Sequence, residues 1–310
     1  MKARIVLGSR GSRLALAQVR LTKEALLRAH PGLEIEAKII TTSGDRRQEL
    51  KAGEGSAAGL KGLFTKEIQE AVLAGSIDAA VHSLKDLPGV TPAELELAAV
   101  LPRAETADLL ISSGYAKLDA LPAGARVGTG SVRRRRQIQW LRPELEIVEL
   151  RGNVPTRLEK LMSEGLDAIV LARAGLGRLG YGISGGMLKC DAGSFYATPL
   201  EILPAIGQGA VGIEIRRDDD GTRGLVSAID DAATHVCVRV ERELLRRLDG
   251  DCRLPVAALA TLDGDTICAD AIVFSDDESL APAPAHATGP ASDPEAIAIS
   301  LFQQLQAGAQ

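Results

Sequence analysis

An internal duplication constrains this 310-residue chain more than any other feature. The order of strand, turn and helix patterns running from Ile5 to Val81 recurs from about Arg126. In the first copy an apolar strand, Ile5 to Leu7, enters the tight turn Gly8-Ser9-Arg10-Gly11-Ser12. A helix pattern follows, with Leu14, Ala17, Leu21 and Ala25 spaced by three and four. After His30-Pro31-Gly32 the residues alternate as a strand from Glu34 to Ile40. A glycine-rich loop (Gly44, Gly53, Gly55, Gly59, Gly62) then leads to a second helix over Phe64 to Leu73, to Gly75 and to a strand at Asp78 to Val81. This is a βαβαβ unit, whose crossover helices imply a parallel sheet.

The second copy repeats letters as well as pattern. Pro31-Gly32-Leu33-Glu34-Ile35 is echoed by Pro143-Glu144-Leu145-Glu146-Ile147, and Ile77-Asp78-Ala79-Ala80-Val81 by Leu166-Asp167-Ala168-Ile169-Val170. The strand-to-helix turns Gly8 to Ser12 and Gly128 to Ser131 also correspond. The expected fold is therefore two duplicated, doubly wound α/β modules.

The remainder differs in kind. A long helical pattern runs from about Asp231 to Leu248 and reaches Asp249-Gly250-Asp251-Cys252. Two strand-like runs meet at Asp263-Gly264, a strong hairpin signal. After a Pro/Ala-rich stretch, Asp293-Pro294 reads as an N-cap with proline at the first helical position, opening a last helix that ends near Gly308. These elements predict a small C-terminal α+β domain.

Composition narrows the function classes. With 45% hydrophobic and 25% charged residues the chain is ordinary globular material, so disorder is not expected. Aromatics, at 3%, leave little for the stacking platforms of single-strand nucleic-acid binders. A net charge of -5 makes a poor general binder of polyanions unless the basic residues gather in one place. No apolar stretch suits a signal sequence or a membrane span. The expected compartment is the cytoplasm, where Cys190, Cys237, Cys252 and Cys268, which lack metal-type spacing, are expected as free thiols.

In open parallel sheets, ligands bind beyond the C-terminal strand ends. The loops at those ends carry Arg10 and Ser12, at a helix start suited to an anion, and Ser83-Leu84-Lys85-Asp86. In the second module they carry Ser131, Arg133 and Arg134, then Arg151-Gly152-Asn153, with Arg157 one helical turn on. Two such mouths facing each other form a cleft for an anion with several carboxylates. Each feature has a plainer reading. Arg133 to Arg136 can be a solvated helix face, Lys85 and Asp86 a surface ion pair, and His82 a packed strand residue. Cys237 and Cys268 read as small buried apolar residues. Cys252 sits in a charged turn after a helix; Arg253 favours its thiolate and Asp251 opposes it, so its reactivity stays open on local sequence.

Together these residues resemble a known family. Val81-His82-Ser83-Leu84-Lys85-Asp86, Gly128-Thr129-Gly130-Ser131-Val132-Arg133-Arg134, Leu150-Arg151-Gly152-Asn153 and Leu203-Pro204-Ala205-Ile206-Gly207-Gln208-Gly209 are similar to successive motifs of the porphobilinogen deaminases. Glu241-Arg242 through Cys252 and Pro255 resembles that family's cofactor-attachment signature. The motifs stand in family order from Arg10 to Val256.

The resemblance implies two domains like type II periplasmic binding proteins and a third offering the cysteine. The implied boundaries are 1–101 with 203–219, 102–202, and 220–310. It implies a dipyrromethane cofactor in thioether linkage to Cys252, surrounded by Ser83, Lys85, Thr129, Ser131, Arg133, Arg134 and Arg157. Arg10, Ser12, Lys61 and Arg151 are implied to bind the substrate, porphobilinogen, whose acetate and propionate accumulate as the chain grows. Bidentate guanidinium geometry explains the dominance of arginine. Asp86 is implied as the catalytic carboxylate beside the ring N–H groups. It would stabilise the cation formed after ammonia leaves and shuttle protons. The expected protein is a monomer that needs no metal, nucleic acid or membrane.

The chain also departs from the family. Ala57 stands in place of a lysine, Asp251 precedes the cysteine in place of a small residue, Leu244 replaces Phe or Ala, and Gly182 to Thr198 is longer. The competing readings are a two-domain carboxylate-binding module, since fold does not fix function, and a nucleic-acid binder using Arg133 to Arg136, whose binding would be salt-sensitive.

Overall fold

The structure, a computed structural model, describes residues 2–44, 65–248, 255–275 and 281–308. In the first module β1 (Arg4–Ser9) pairs in parallel with β2 (Glu34–Ile39) and β3 (Ala79–Ser83). Helices α1 (Arg13–Ala29) and α2 (Lys66–Leu73) cover opposite faces. Alternation along the strands sorts their side chains between the two helices. Ile5, Leu7, Ala79 and Val81 pack with Val19 and Leu26, while Val6 and Ala80 pack with Ile68 and Val72.

The sheet order is β2-β1-β3-β12-β4, where β4 is Leu95–Val100 and β12 is Val211–Arg216. β12 comes from beyond the second module and lies antiparallel to both β3 and β4. The sheet is therefore mixed, whereas the sequence predicts a parallel one.

The second module mirrors this arrangement. Its strands are β5 (Asp108–Ser112), β6 (Arg126–Gly128), β7 (Glu146–Val148), β8 (Ala168–Ala172), β9 (Ile183–Ser184), β10 (Met187–Cys190) and β11 (Gly193–Pro199), in the order β7-β6-β8-β5-β11-β10-β9. Here β5, the first strand after the chain leaves the first module, is the antiparallel insertion beside β8. Each crossover thus delivers one strand into the middle of the sheet it enters. The helices are α3 (Val132–Leu141), α4 (Val154–Ser163) and α5 (Arg173–Arg178). The longer segment 182–198 forms the antiparallel extension β9 to β11.

After β12 come α6 (Asp220–Val226) and α7 (Ala232–Arg247). Leu225, Val226 and Ile229 pack in the same core as Ile5 and Val19. The third unit is the antiparallel sheet β13 (Val256–Asp263), β14 (Thr266–Val273), β15 (Ala283–Pro290), packed on α7 and α8 (Pro294–Gly308). Gly264 takes φ +56° in the Asp263-Gly264 turn. Asp293 caps α8, accepting from Ala296 N at 3.1 Å. The stretch taken from sequence as Pro/Ala-rich connection contains β15. As the outer strand, it presents one side to no ladder partner, so Pro284 and Pro290 are tolerated.

Glu241 in α7 joins the third unit to both crossovers. Its carboxylate accepts from Arg103 Nη1 at 2.6 Å and Nη2 at 3.0 Å, from Gly207 N at 2.7 Å and from Ala260 N at 3.0 Å. Arg242 beside it donates to the carbonyl of Pro88 at 3.0 Å. Leu244 is fully buried in the third core.

Candidate active site

The strand ends of the first module converge on a pocket of about 410 Å³, its open mouth included, lined in part by Arg10, Ser12, Gln18, His82, Ser83 and Asp86. A second hollow continues from it between the modules. It shares Gln18 and Ser83 and adds Lys85, Arg178 and the 207–210 backbone. Gln18 Nε2 donates to Ser83 Oγ at 2.7 Å, fixing the seam between them.

The serines and asparagine of the loops are helix N-caps. Ser12 accepts from Ala15 N at 3.2 Å, Ser131 from Arg134 N at 3.4 Å and Asn153 from Thr156 N at 3.0 Å. Thr129 is buried, and its hydroxyl accepts from Ser131 N at 3.2 Å, tightening the turn into α3. These caps direct the first turns of α1, α3 and α4, whose free N–H groups favour anions.

The cations of the second module face Lys85 and Asp86 of the first. Lys85 is exposed to solvent and lines the hollow between the modules. Desolvation there holds its amine below the ordinary lysine range, with Asp86 offsetting part of the effect and Arg134 adding to it. Burial, then the charge of Arg134, brings Arg157 down to about 10. Arg157 Nε donates to the carbonyl of Gly152 at 2.8 Å. Burial likewise lowers Arg178, whose Nη2 donates to the Gly209 carbonyl at 2.6 Å.

Arg133 and Arg134 stand differently from the open basic mouth drawn from sequence. Both are buried, and each gives one N–H to Asp108, at 2.7 Å in both cases. Arg136 is buried too and lies over the Phe274 ring at 5.6 Å. The run Arg133 to Arg136 is thus not the solvated helix face that its plain reading expects, since only Arg135 of the four is exposed. His82 is buried, with Nε2 3.1 Å from Glu214 Oε2, as expected of a packed strand residue. Burial, then Glu241, pushes the Cys237 thiol up to about 11, which suits an inert core cysteine.

Arg10, Ser12, Ser83, Lys85 and Asp86 line the two adjoining hollows, and Arg134, at the N-terminal turn capped by Ser131, lies within electrostatic reach of Lys85 and Arg157. Arg151 is exposed and pairs with Glu149 at 2.6 Å. Lys61 and Cys252, together with Ala57 and Asp251, lie outside the described residues. Gln18, Asp108 and Arg178 escaped the sequence reading, and Gln208 entered it only as a letter of the 203–209 motif. For Arg178 a signal existed: α5 follows β8 as Leu84–Asp86 follows β3, so the duplication marks that loop.

These residues suit a ligand bearing several carboxylates. Among Lys85, Asp86, Asp108, Arg133, Arg134 and Arg157, four cations stand against two acids. Arg134 Nε is buried without a hydrogen-bond partner. Among the described residues no cluster of His, Cys, Asp and Glu could hold a metal, and no helix is long and apolar enough to cross a membrane.

Two α/β modules that exchange strands and meet at cation-lined hollows beside one exposed carboxylate define a two-lobed protein suited to a ligand with several carboxylates. The sequence comparisons specify which. A family profile described as porphobilinogen deaminase, dipyromethane cofactor binding domain, matches residues 5–224, and one described as porphobilinogen deaminase, C-terminal domain, matches residues 235–307. Curated relatives named porphobilinogen deaminase include that of Roseiflexus sp. (strain RS-1), 43% identical over 305 residues, covering 98% of this chain and 96% of the relative. That of Moorella thermoacetica is 44% identical over 306 residues, covering 98% and 93%. Among solved structures, the methionine binding protein MetQ is similar at 13% identity and a TM-score of 0.43, covering 74% of this chain and 91% of that one. The chain belongs to the porphobilinogen deaminase family, and its cofactor is dipyrromethane.

Proposed function

We propose that this chain is a hydroxymethylbilane synthase. It condenses four porphobilinogen molecules head to tail on a covalently held dipyrromethane, with loss of ammonia at each addition, and then releases the linear tetrapyrrole by hydrolysis. The observation that carries this reading is the meeting of Asp86 with Arg10, Lys85 and Arg178 along two adjoining hollows at the seam of the modules. When bound, the dipyrromethane supplies the primer, held through Cys252.

Ser83, Lys85, Thr129, Ser131, Arg133, Arg134 and Arg157 hold the primer's carboxylates, and Arg10, Ser12, Lys61 and Arg151 those of the incoming pyrrole. Arg178 joins them from its place beside Gln18 and Lys85. Asp86 accepts ring N–H groups, stabilises positive charge at the reacting ring and takes up the proton released there.

The working units are 1–101 with 203–219, 102–202, and 220–310, with the stretch to Ile229 packed on the first module. The protein works as a cytoplasmic monomer without nucleic acid or membrane. Burial of three of the four consecutive arginines, together with a net charge of -5, supports the absence of a nucleic-acid partner.

The test is intact mass. The wild-type chain should be heavier than its sequence by two pyrrole units, and Cys252→Ser should not. If both show bare chain mass even after addition of porphobilinogen, the reading is wrong and a carboxylate-binding module takes its place.

A further inference from the structure

Asp108 opens β5 at the end of the first crossover, and none of its surface meets solvent. Its Oδ2 accepts from Arg133 Nη2 at 2.7 Å, and its Oδ1 accepts from Arg134 Nη2 at 2.7 Å and Gln208 Nε2 at 2.9 Å. Gln208 belongs to the second crossover and also donates to the Thr106 carbonyl at 2.7 Å. One carboxylate therefore gathers both crossovers and the first turn of α3.

Each guanidinium is held at a second point as well, Arg133 Nη1 on the Leu203 carbonyl at 2.6 Å and Arg134 Nη1 on the Val170 carbonyl at 3.0 Å. Two anchors fix the plane of a guanidinium and leave three of its five N–H donors over. In Arg134 one of these is Nε, which is buried and unpaired. Buried donors in proteins are nearly always paired, so one left over is a donor that a bound group can use. Arg134 also lies near two further cations, Lys85 and Arg157. Without Asp108, two adjacent buried guanidiniums repel each other and face further cations.

We infer that Asp108 is a positioning residue, which holds Arg133 and Arg134 side by side with donors to spare for the carboxylates of the primer. The inference rests on the functional reading above, in which those two arginines bind the primer. Asp108 itself touches neither primer nor substrate.

The experiment starts from protein produced in cells unable to make porphobilinogen, so that it begins at bare chain mass. Porphobilinogen is added, and the rate of gain of two pyrrole units is followed by intact mass, alongside circular dichroism and a urea midpoint. Asp108→Asn, folded by circular dichroism, should load at least about tenfold more slowly than wild type, because a misplaced binding group forfeits pre-organisation. A merely structural role would lower the urea midpoint and leave the loading rate of the folded protein unchanged, which would overturn the inference.

Should Asp108→Asn fail to fold, the charge-balanced double variant Asp108→Asn/Arg133→Met is compared with Arg133→Met alone. Slower loading of the double variant supports positioning of Arg134 by Asp108, and equal loading overturns it. A wild-type chain that never gains mass overturns the functional reading instead.

Discussion

Asp86 and Lys85 are neighbours in a single turn, yet they answer to different tests. Asp86→Ala should fold as wild type and lose at least about a hundredfold in the rate of pyrrole addition, the usual reach of a proton-transfer group. Retention of most activity would remove Asp86 from that role. In the role proposed for it Lys85 binds as a cation, and desolvation lowers its pKa, so its charge is lost at a lower pH than for an ordinary lysine at ~10.4. The rate at which the bare chain gains its two pyrrole units should accordingly fall on the alkaline side before that pH, and Lys85→Arg should move the fall upward, as intact mass followed against pH would show.

Burial alone would raise the pKa of Asp108, but Arg134 and Arg133 together overcome it and hold the carboxyl well below the usual range. A depressed folded-state pKa contributes stability that is complete above the unfolded value and is lost as pH falls toward the folded one. Asp108→Asn should therefore cost about 3–5 kcal/mol at neutral pH, as for a broken buried pair. In urea titrations the gap from wild type should narrow below about pH 4. The sequence placed most of the cleft residues through strand-end logic. It did not reveal Asp108, because an acid at a strand start has no local mark; only the fold brings it against residues 25 and 26 positions later.

At the level of elements, the helices and parallel strands were readable because their apolar periods are clean and their starts explicit, as at Ser12 and Asp293. Strands β5 and β12 were harder: nothing in a strand's own residues says that it will insert antiparallel into a sheet begun elsewhere. β15 was hidden by Pro284 and Pro290, which only an edge position makes acceptable. The close approach of the two crossovers is likewise a product of the fold. Gly209 has φ +83°, and a Cβ there would collide with the Ala104 carbonyl oxygen. Gly209→Ala should thus lower stability by at least about 1–3 kcal/mol, the cost of a strained non-glycine conformation before the clash is added. Thermal unfolding followed by calorimetry measures this, and an unchanged midpoint would contradict the packing.

For the whole molecule, the contact between second module and third unit carries its own reporter. Trp140, the one tryptophan in the sequence, meets Phe274 edge to face at 6.3 Å between ring centroids. Phe274 is almost fully buried, with Leu203 of the second crossover packed against its cluster. Phe274→Ala should destabilise by about 3–5 kcal/mol, with unfolding in urea followed by the emission of Trp140. An unchanged urea midpoint for Phe274→Ala would contradict the packing at this contact.

The strand exchange between modules also sets a timetable for synthesis. β3 and β4 are complete once residue 100 has been made, but the strand that fills the space between them spans Val211–Arg216. At ribosomal speeds of ~5–20 residues per second, the nascent first module waits roughly five to twenty seconds with two inner strand edges bare. The second module receives its borrowed strand at the outset and can close first. Birth order along the polypeptide is therefore the reverse of folding order, and the unfinished N-terminal half is the portion that needs protection from aggregation in the cell.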